Sequence, residues 1–250
     1  YQNNGDWEVS TTKFQDFAAH VKRVQALAMK YMVWFSVPFV GIESKAYGRF
    51  KDMLMPGKEG ATHYSLDPRF RETRAYIAET FEQFLLQYKI DGFKMDFIGS
   101  IGFGPGLQDR PDDRRDCVSV GEGVCKLLDD VMPRLKAINS DILIEFRQDY
   151  VGPAMRRYGN MFRAVDCPNS IGDNRVRTLD VRLLCGNTAV HADPITWHDD
   201  EPPHSAAMQI IHALFAVPQI SRKVTELTPI HKSMLRHQLA FWREPHDVLL

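Results

Sequence analysis

Residues 87–100, QYKIDGFKMDFIGS, hold an apolar run with a lysine and an aspartate set two apart inside it. Ile90, Phe93, Met95, Phe97 and Ile98 read as a buried strand, where a charged side chain is costly unless something pairs or uses it. Lys94 and Asp96 alternate with the apolar residues, so both share one face of that strand. The face is either a structural ion pair or the floor of an active site. Directly upstream, RETRAYIAETFEQFLLQYK (71–89) stripes Tyr76, Ile77, Phe81, Phe84, Leu85 and Tyr88 along one side of a helix. A helix running into a buried strand is the repeating unit of a parallel α/β fold.

Working outward, the same order recurs. In FQDFAAHVKRVQALAMK (14–30), Phe14, Phe17, Ala18, Val21, Val24 and Ala28 fall at helical spacing, and YMVWFSVPF (31–39) follows as a strand ended by Pro38. Further strands are expected at DILIEF (141–146), MFRAVD (161–166), TAVHAD (188–193) and AVPQIS (216–221), about six in all, with helical patterns between most of them. Single strands separated by helices imply a parallel sheet with right-handed crossovers, doubly wound or closed as a barrel. The GFGPG segment (102–106) follows a strand but opens no helix, so the phosphate loop of a nucleotide-binding doubly wound fold is missing. The expectation is a TIM (β/α)8-type barrel in one domain, residues 1–250. The Gly, Asp and Arg-rich IGFGPGLQDRPDDRRD (101–116) reads as a long functional loop within it.

A chain of 250 residues, 44% of them hydrophobic, supports one substantial core, and its formal charge of −1 offers no basic footprint for nucleic acid or an anionic membrane. No apolar run reaches the roughly 18 to 20 residues of a membrane helix. Cys117, Cys125, Cys167 and Cys185 lack Cys-x-x-Cys spacing and read as small buried hydrophobes. The opening YQNNGDWEV has neither the charged nor the apolar region of a signal peptide, and the absence of an initial methionine places the true start upstream.

Polar residues gather where each strand ends: Asp96, then Glu145, Arg147 and Asp149, then Arg163 and Asp166, then His191 and Asp193. In a parallel barrel these ends share one mouth, which carries the active site. Carboxylates, arginines, a lysine and aromatics without metal-ligand spacing suit cleavage of a glycosidic bond, with neither cofactor nor metal expected. That reaction needs one ionised carboxylate and one protonated one. Asp96 suits the first role, with Lys94 beside it to favour its charged form and to bind a sugar hydroxyl. Asp166 suits the second. Asp173 in SIGDNRVR is the alternative acid, although its setting reads as a helix cap. Arg147 and Asp149 pair as a sugar-binding unit. The spacing of His191 and His198 in HADPITWHDD fits no common metal site, and Trp197 reads instead as a stacking platform in a hydroxyl-binding loop.

These residues resemble a known family. GDWEVSTTKF, YMVWFSVPFVGIESKAY and YSLDPRFRETRAYIAETFEQFLLQYKIDGFKMDF are similar, in order and spacing, to the catalytic barrel of glycoside hydrolase family 36, the melibiases or retaining α-galactosidases. The resemblance is clear over residues 5–97 and looser beyond. It implies Asp96 as nucleophile, Asp166 as acid/base and Lys94 as a substrate ligand; Trp34, Arg163 and His191 are further expected substrate-binding residues. It also implies two barrel strands before Tyr1, the second ending in Asp-Asp-Gly-Trp, and a β-rich domain on each side of the barrel, so that the chain reads as part of a longer protein.

The departures bear on the sugar. IEFRQDY keeps the Arg-x-Asp ending of the family's third strand without its cysteine and glycines, and FRAVD replaces Trp-Thr-Ser-Asp around the acid/base. VPFVGIESKAY and DGFKMDF also resemble the α-glucosidases and α-xylosidases of family 31, a clan relative. The alternatives to α-galactoside hydrolysis are therefore another α-linked sugar, a transglycosylase of the raffinose-synthase kind, and a carbohydrate-binding barrel without catalysis. A retaining mechanism requires the Asp96 and Asp166 carboxyls roughly 5 to 6 Å apart.

Overall fold

The computed structural model describes residues 4–104, 106, 108–109, 111–147, 152–167 and 170–244. The chain divides into two compact units, Tyr1–Ile144 and Glu145–Leu250.

The first unit opens with α1 (Phe17–Gln25), whose N-terminus is capped by Asp16 through the Ala19 amide (2.8 Å). Then come β1 (Met32–Ser36), β2 (Phe39–Gly41), α2 (Lys45–Phe50), β3 (His63–Ser65), α3 (Arg71–Tyr88), β4 (Gly92–Asp96) and α4 (Val120–Ile138). β1 and β4 pair in parallel, with Trp34 beside Lys94 and Ser36 beside Asp96. The stripe read on α3 is its buried face: Ile77, Phe81, Phe84 and Leu85 are buried. Phe81 meets Phe35 of β1 and Phe93 of β4 at ring separations of 4.8 and 4.7 Å. Of the α1 stripe, Phe17 and Val21 are buried, whereas Ala28 lies past the helix in left-handed backbone at φ 58°.

The opening strand is shorter than its apolar run. It opens at Gly92, where a Cβ would lie 2.3 Å from the Leu143 carbonyl oxygen, and it stops at Asp96 because Phe97 turns to φ 63°. Just before it, Asp91 accepts from the Tyr31 amide and the Gln25 side chain, both at 2.8 Å, and pairs with Lys30 at 3.3 Å. The antiparallel β2 and β3, three residues each, are too short to stand out in the sequence.

Around the long loop the first unit holds an ion network anchored on buried Asp67 and Arg69. Arg69 donates to Asp67 (2.9 and 2.8 Å) and to Asp109 (2.9 Å), and Arg115 contacts the same two carboxylates at 3.1 and 3.0 Å. The segment leading into α3 is thereby tied to the loop that follows β4.

β5 (Leu143–Phe146) spans the boundary in sequence. The second unit continues with β6 (Met161–Arg163), α5 (Ile171–Leu184), β7 (Ala189–His191), α6 (Pro203–Ile211) and α7 (Pro229–Arg243). β6 pairs in parallel with β5 and with β7, which aligns Phe146, Phe162 and Val190 in the core and sets Arg163 beside His191. The strand expected at 216–221 forms only isolated parallel bridges, Val217 to His191 and Ile220 to Ile195. Pro218 between them has no amide with which to continue a ladder.

The expected α/β architecture with parallel strands is therefore present. Of the four cysteines, Cys117, Cys167 and Cys185 are buried, but Cys125 is exposed on α4, contrary to the reading of all four as core residues. Among the described residues, no helix is long and apolar enough to cross a membrane.

Candidate active site

In the first unit the site is built on Asp96. It closes β4, is 4% exposed, and has both carboxylate oxygens engaged: the Phe97 amide donates to Oδ1 (3.0 Å) and the Trp34 indole Nε1–H to Oδ2 (2.9 Å). The left-handed turn at Phe97 ends the strand directly after this carboxylate. Lys94, two residues earlier on the same face, is half-buried beside Trp34.

Trp34 is 40% exposed, so one tryptophan offers a polar edge to Asp96 and a ring surface to solvent. Trp7 buttresses it edge-on at 6.1 Å while stacking on Phe35 at 4.2 Å, and Phe97 packs against its ring at 6.3 Å. The Gly-Asp-Trp loop is shaped for this. Gly5 takes φ 112° where a Cβ would strike Val40, and Asp6 caps α2 by accepting from the amides of Lys45 (2.8 Å) and Ala46 (2.9 Å). Trp7 was legible only as part of a motif; its buttressing role depends on contacts with residues about thirty positions away. A cleft of about 370 Å³ lined by Trp7, Val9, Phe14, Tyr31, Val33 and Trp34 runs beside β1, but Asp96 is not among its lining residues.

In the second unit, Asp166 lies three residues past β6, with its side chain 56% exposed. Arg163 contacts one of its oxygens at 2.7 Å and Arg147 the other at 3.1 Å, while Arg177 donates to its backbone carbonyl at 3.0 Å. Arg163 itself is buried and also pairs with buried Asp193. His191 Nδ1 lies 3.2 Å from Glu145 and 2.9 Å from Gln219. Burial, reinforced by Asp193, pushes the Cys167 thiol up to about 11.

Asp173 belongs to the α5 cap: the Ser170 hydroxyl donates to its carboxylate (2.8 Å) and accepts from its amide (3.4 Å). Asp149 lies outside the described residues; Arg147, its expected partner, contacts Asp166. The reading of Trp197 as a stacking platform is corrected. The ring is 2% exposed, packed against His231 at 6.1 Å and covered by the Arg222 guanidinium at 5.9 Å, so no face is open to a sugar. Its charged neighbours in the sequence suggested exposure, and the residues that cover it come from 25 and 34 positions downstream. Exposed His198 does not join His191, and among the described residues no group of three or more His, Cys, Asp or Glu side chains is placed to hold a metal ion.

No family model matches the chain. Alpha-galactosidase 1 of Pediococcus pentosaceus is 32% identical over 98 residues, which cover 37% of this chain and 13% of that protein. Among solved structures, the family 36 α-galactosidase AgaA of Geobacillus stearothermophilus matches with a TM-score of 0.78 and 20% identity, over 99% of this chain and 36% of that one. The α-galactosidase TtGalA of Thermus thermophilus, in complex with p-nitrophenyl α-D-galactopyranoside, matches at 0.69 and 16%, over 96% and 53%. Two AgaA variants were solved with raffinose and with stachyose, each with one aspartate replaced, and the replaced positions are 70 residues apart. The chain spans about a third of the length of AgaA. Over almost its whole length, it therefore has the fold of glycoside hydrolase family 36 α-galactosidases, and the resemblance read from its motifs is borne out.

Proposed function

We propose that this chain is the catalytic part of a retaining glycoside hydrolase acting on terminal α-galactosides. The observation that carries the reading is Asp96: a buried carboxylate at the end of a parallel strand, both oxygens held in place, behind a half-exposed tryptophan. It is supported by the spacing of Asp96 and Asp166, 70 residues, the same as that of the two aspartates replaced in the AgaA complexes with raffinose and stachyose.

In the first step the Asp96 carboxylate attacks the anomeric carbon while Asp166, protonated, gives its proton to the glycosidic oxygen and the alcohol departs. In the second, Asp166 takes a proton from water, the water oxygen attacks the anomeric carbon, and the ester to Asp96 breaks. Lys94 and the open ring of Trp34 bind the sugar, with Arg147, Asp149 and His191 as further ligands, whereas buried Arg163, expected among them, holds Asp166. Oligosaccharides ending in α-galactose are the substrate class. The barrel closure, the upstream strands and the flanking β-rich domains expected from the sequence belong to this reading.

The test is hydrolysis of aryl α-galactosides, α-glucosides, α-xylosides and α-N-acetylgalactosaminides by the full-length protein. Asp96→Ala should lower kcat by about 10⁴-fold or more, azide should restore part of the activity, and the first-formed sugar should be the α-anomer. Hydrolysis that survives the substitution, or a β-anomeric product, would overturn the reading. Product made with an added sugar acceptor separates hydrolysis from transglycosylation.

A further inference from the structure

Arg163 is 3% exposed, and its two terminal nitrogens serve two carboxylates: Nη1 pairs with Asp193 and Nη2 with Asp166. The two acids live in opposite environments. Asp193 is 3% exposed and fixed at every polar atom. Its second oxygen accepts from the Cys167 amide at 2.8 Å, its own amide donates to Asn174 Oδ1 at 3.1 Å, and its carbonyl accepts from Asn174 Nδ2 at 3.3 Å. Asn174, on α5, is buried in turn and accepts from the Thr178 hydroxyl at 3.2 Å. Asp166 stands largely in solvent with two arginines on it.

Two physical consequences follow. Cys167 is the residue after Asp166, so the bond from its amide to Asp193 fixes the backbone on which Asp166 stands. A guanidinium also carries a single charge, and with a buried carboxylate against it most of that charge is offset before it acts on Asp166. An acid/base carboxyl must hold a proton at working pH, and two uncompensated arginines would oppose this.

We propose that Asp193 is a positioning residue for Asp166, holding Arg163 and the Cys167 amide in place and offsetting the Arg163 charge so that Asp166 can be protonated when substrate is bound. This rests on the reading of Asp166 as the acid/base. Among the described residues, the charged and titratable groups around the pair include Arg147 beyond β5, Glu145 on β5, His191 on β7, Asp173 and Arg177 on α5, and Asp193 and Cys167 themselves.

The experiment is the pH dependence of kcat/KM for an α-galactoside with a poor leaving group, measured on the full-length protein. Asp193→Asn, near in shape but uncharged, should move the basic limb to lower pH by about one unit, and Asp193→Glu should return it toward its original position. A uniform loss at every pH with an unmoved limb would overturn the proposal. Asp166→Ala separates the two levels. If it abolishes the limb while Asp193→Asn leaves the limb in place, the acid/base reading stands and this inference fails; if the limb survives in Asp166→Ala, both fail. Should Asp193→Asn not fold, the double variant Arg163→Gln/Asp193→Asn removes both buried charges together. With the cation at Asp166 gone as well, its limb should not fall below that of the unsubstituted protein, and a fall of about a unit or more would overturn the offsetting role.

Discussion

Phe97 adopts φ 63° and ψ 14°, a conformation that costs a residue with a Cβ about 1–2 kcal/mol. The turn ends β4 immediately after Asp96, whose carboxylate accepts from the Phe97 amide. With the Trp34 indole on the other oxygen, the carboxylate cannot rotate without breaking two hydrogen bonds. Trp34→Phe keeps an aromatic ring, smaller than the indole, and deletes the Nε1–H donor to Asp96. It should lower kcat for an aryl α-galactoside by about 10- to 100-fold, the worth of a hydrogen bond to a charged group, with a smaller change in KM; an unchanged kcat would show that the indole acts only as a surface. Asp96 and Lys94 were legible because charges inside an apolar run break a pattern. The role of Asp193 was not, since an aspartate at a strand end looks the same whether it faces substrate or clamps an arginine.

Helices were the easiest elements to read, because α3 buries the positions that its spacing singles out. Strands were legible as apolar runs but not in extent: Gly92 and Phe97 bound β4, with a close backbone approach at one and a reversed φ at the other, neither of which is a matter of hydrophobicity. The 101–116 loop looked functional for its composition, yet its Asp109 and Arg115 join Asp67 and Arg69 in a network that links segments about 40 residues apart in sequence. Asp67 is fully buried, and Arg69→Ala leaves it with Arg115. The substitution should cost about 3 kcal/mol in urea unfolding, and a loss under about 1 kcal/mol would mean that Arg115 suffices to hold Asp67. Gly92→Ala should be comparably harmful through its clash with Leu143.

At the scale of the whole molecule, acid is the weak side. Burial works to raise the Asp91 carboxyl, but Gln25, the Tyr31 amide and Lys30 outweigh it and hold it below the usual range. Arg74 does the same for Asp116, and Arg114 brings Asp112 down to about 2. Each binds a proton less readily folded than unfolded, so its contribution is complete above the unfolded value of about 3.9 and is lost as pH falls through the folded value. His63, lowered by burial, adds a smaller loss beginning below about pH 6.5. Urea midpoints should therefore slip slightly from pH 7 to 5 and fall steeply between about 4 and 2; a midpoint that holds to pH 2 would contradict the pairing. The parallel α/β class was legible because helix and strand alternate along the chain, whereas the division into two compact units was not, since no linker-like composition marks residues 144 and 145. The four cysteines give each unit a built-in reporter. Cys125 is open to a thiol reagent in the native state, while Cys117 in the first unit and Cys167 and Cys185 in the second must wait for the chain around them to open. Alkylation of the native protein with a limiting maleimide would mark one site alone. In rising denaturant, the order in which the other three are marked would say whether the two halves come apart together or in turn.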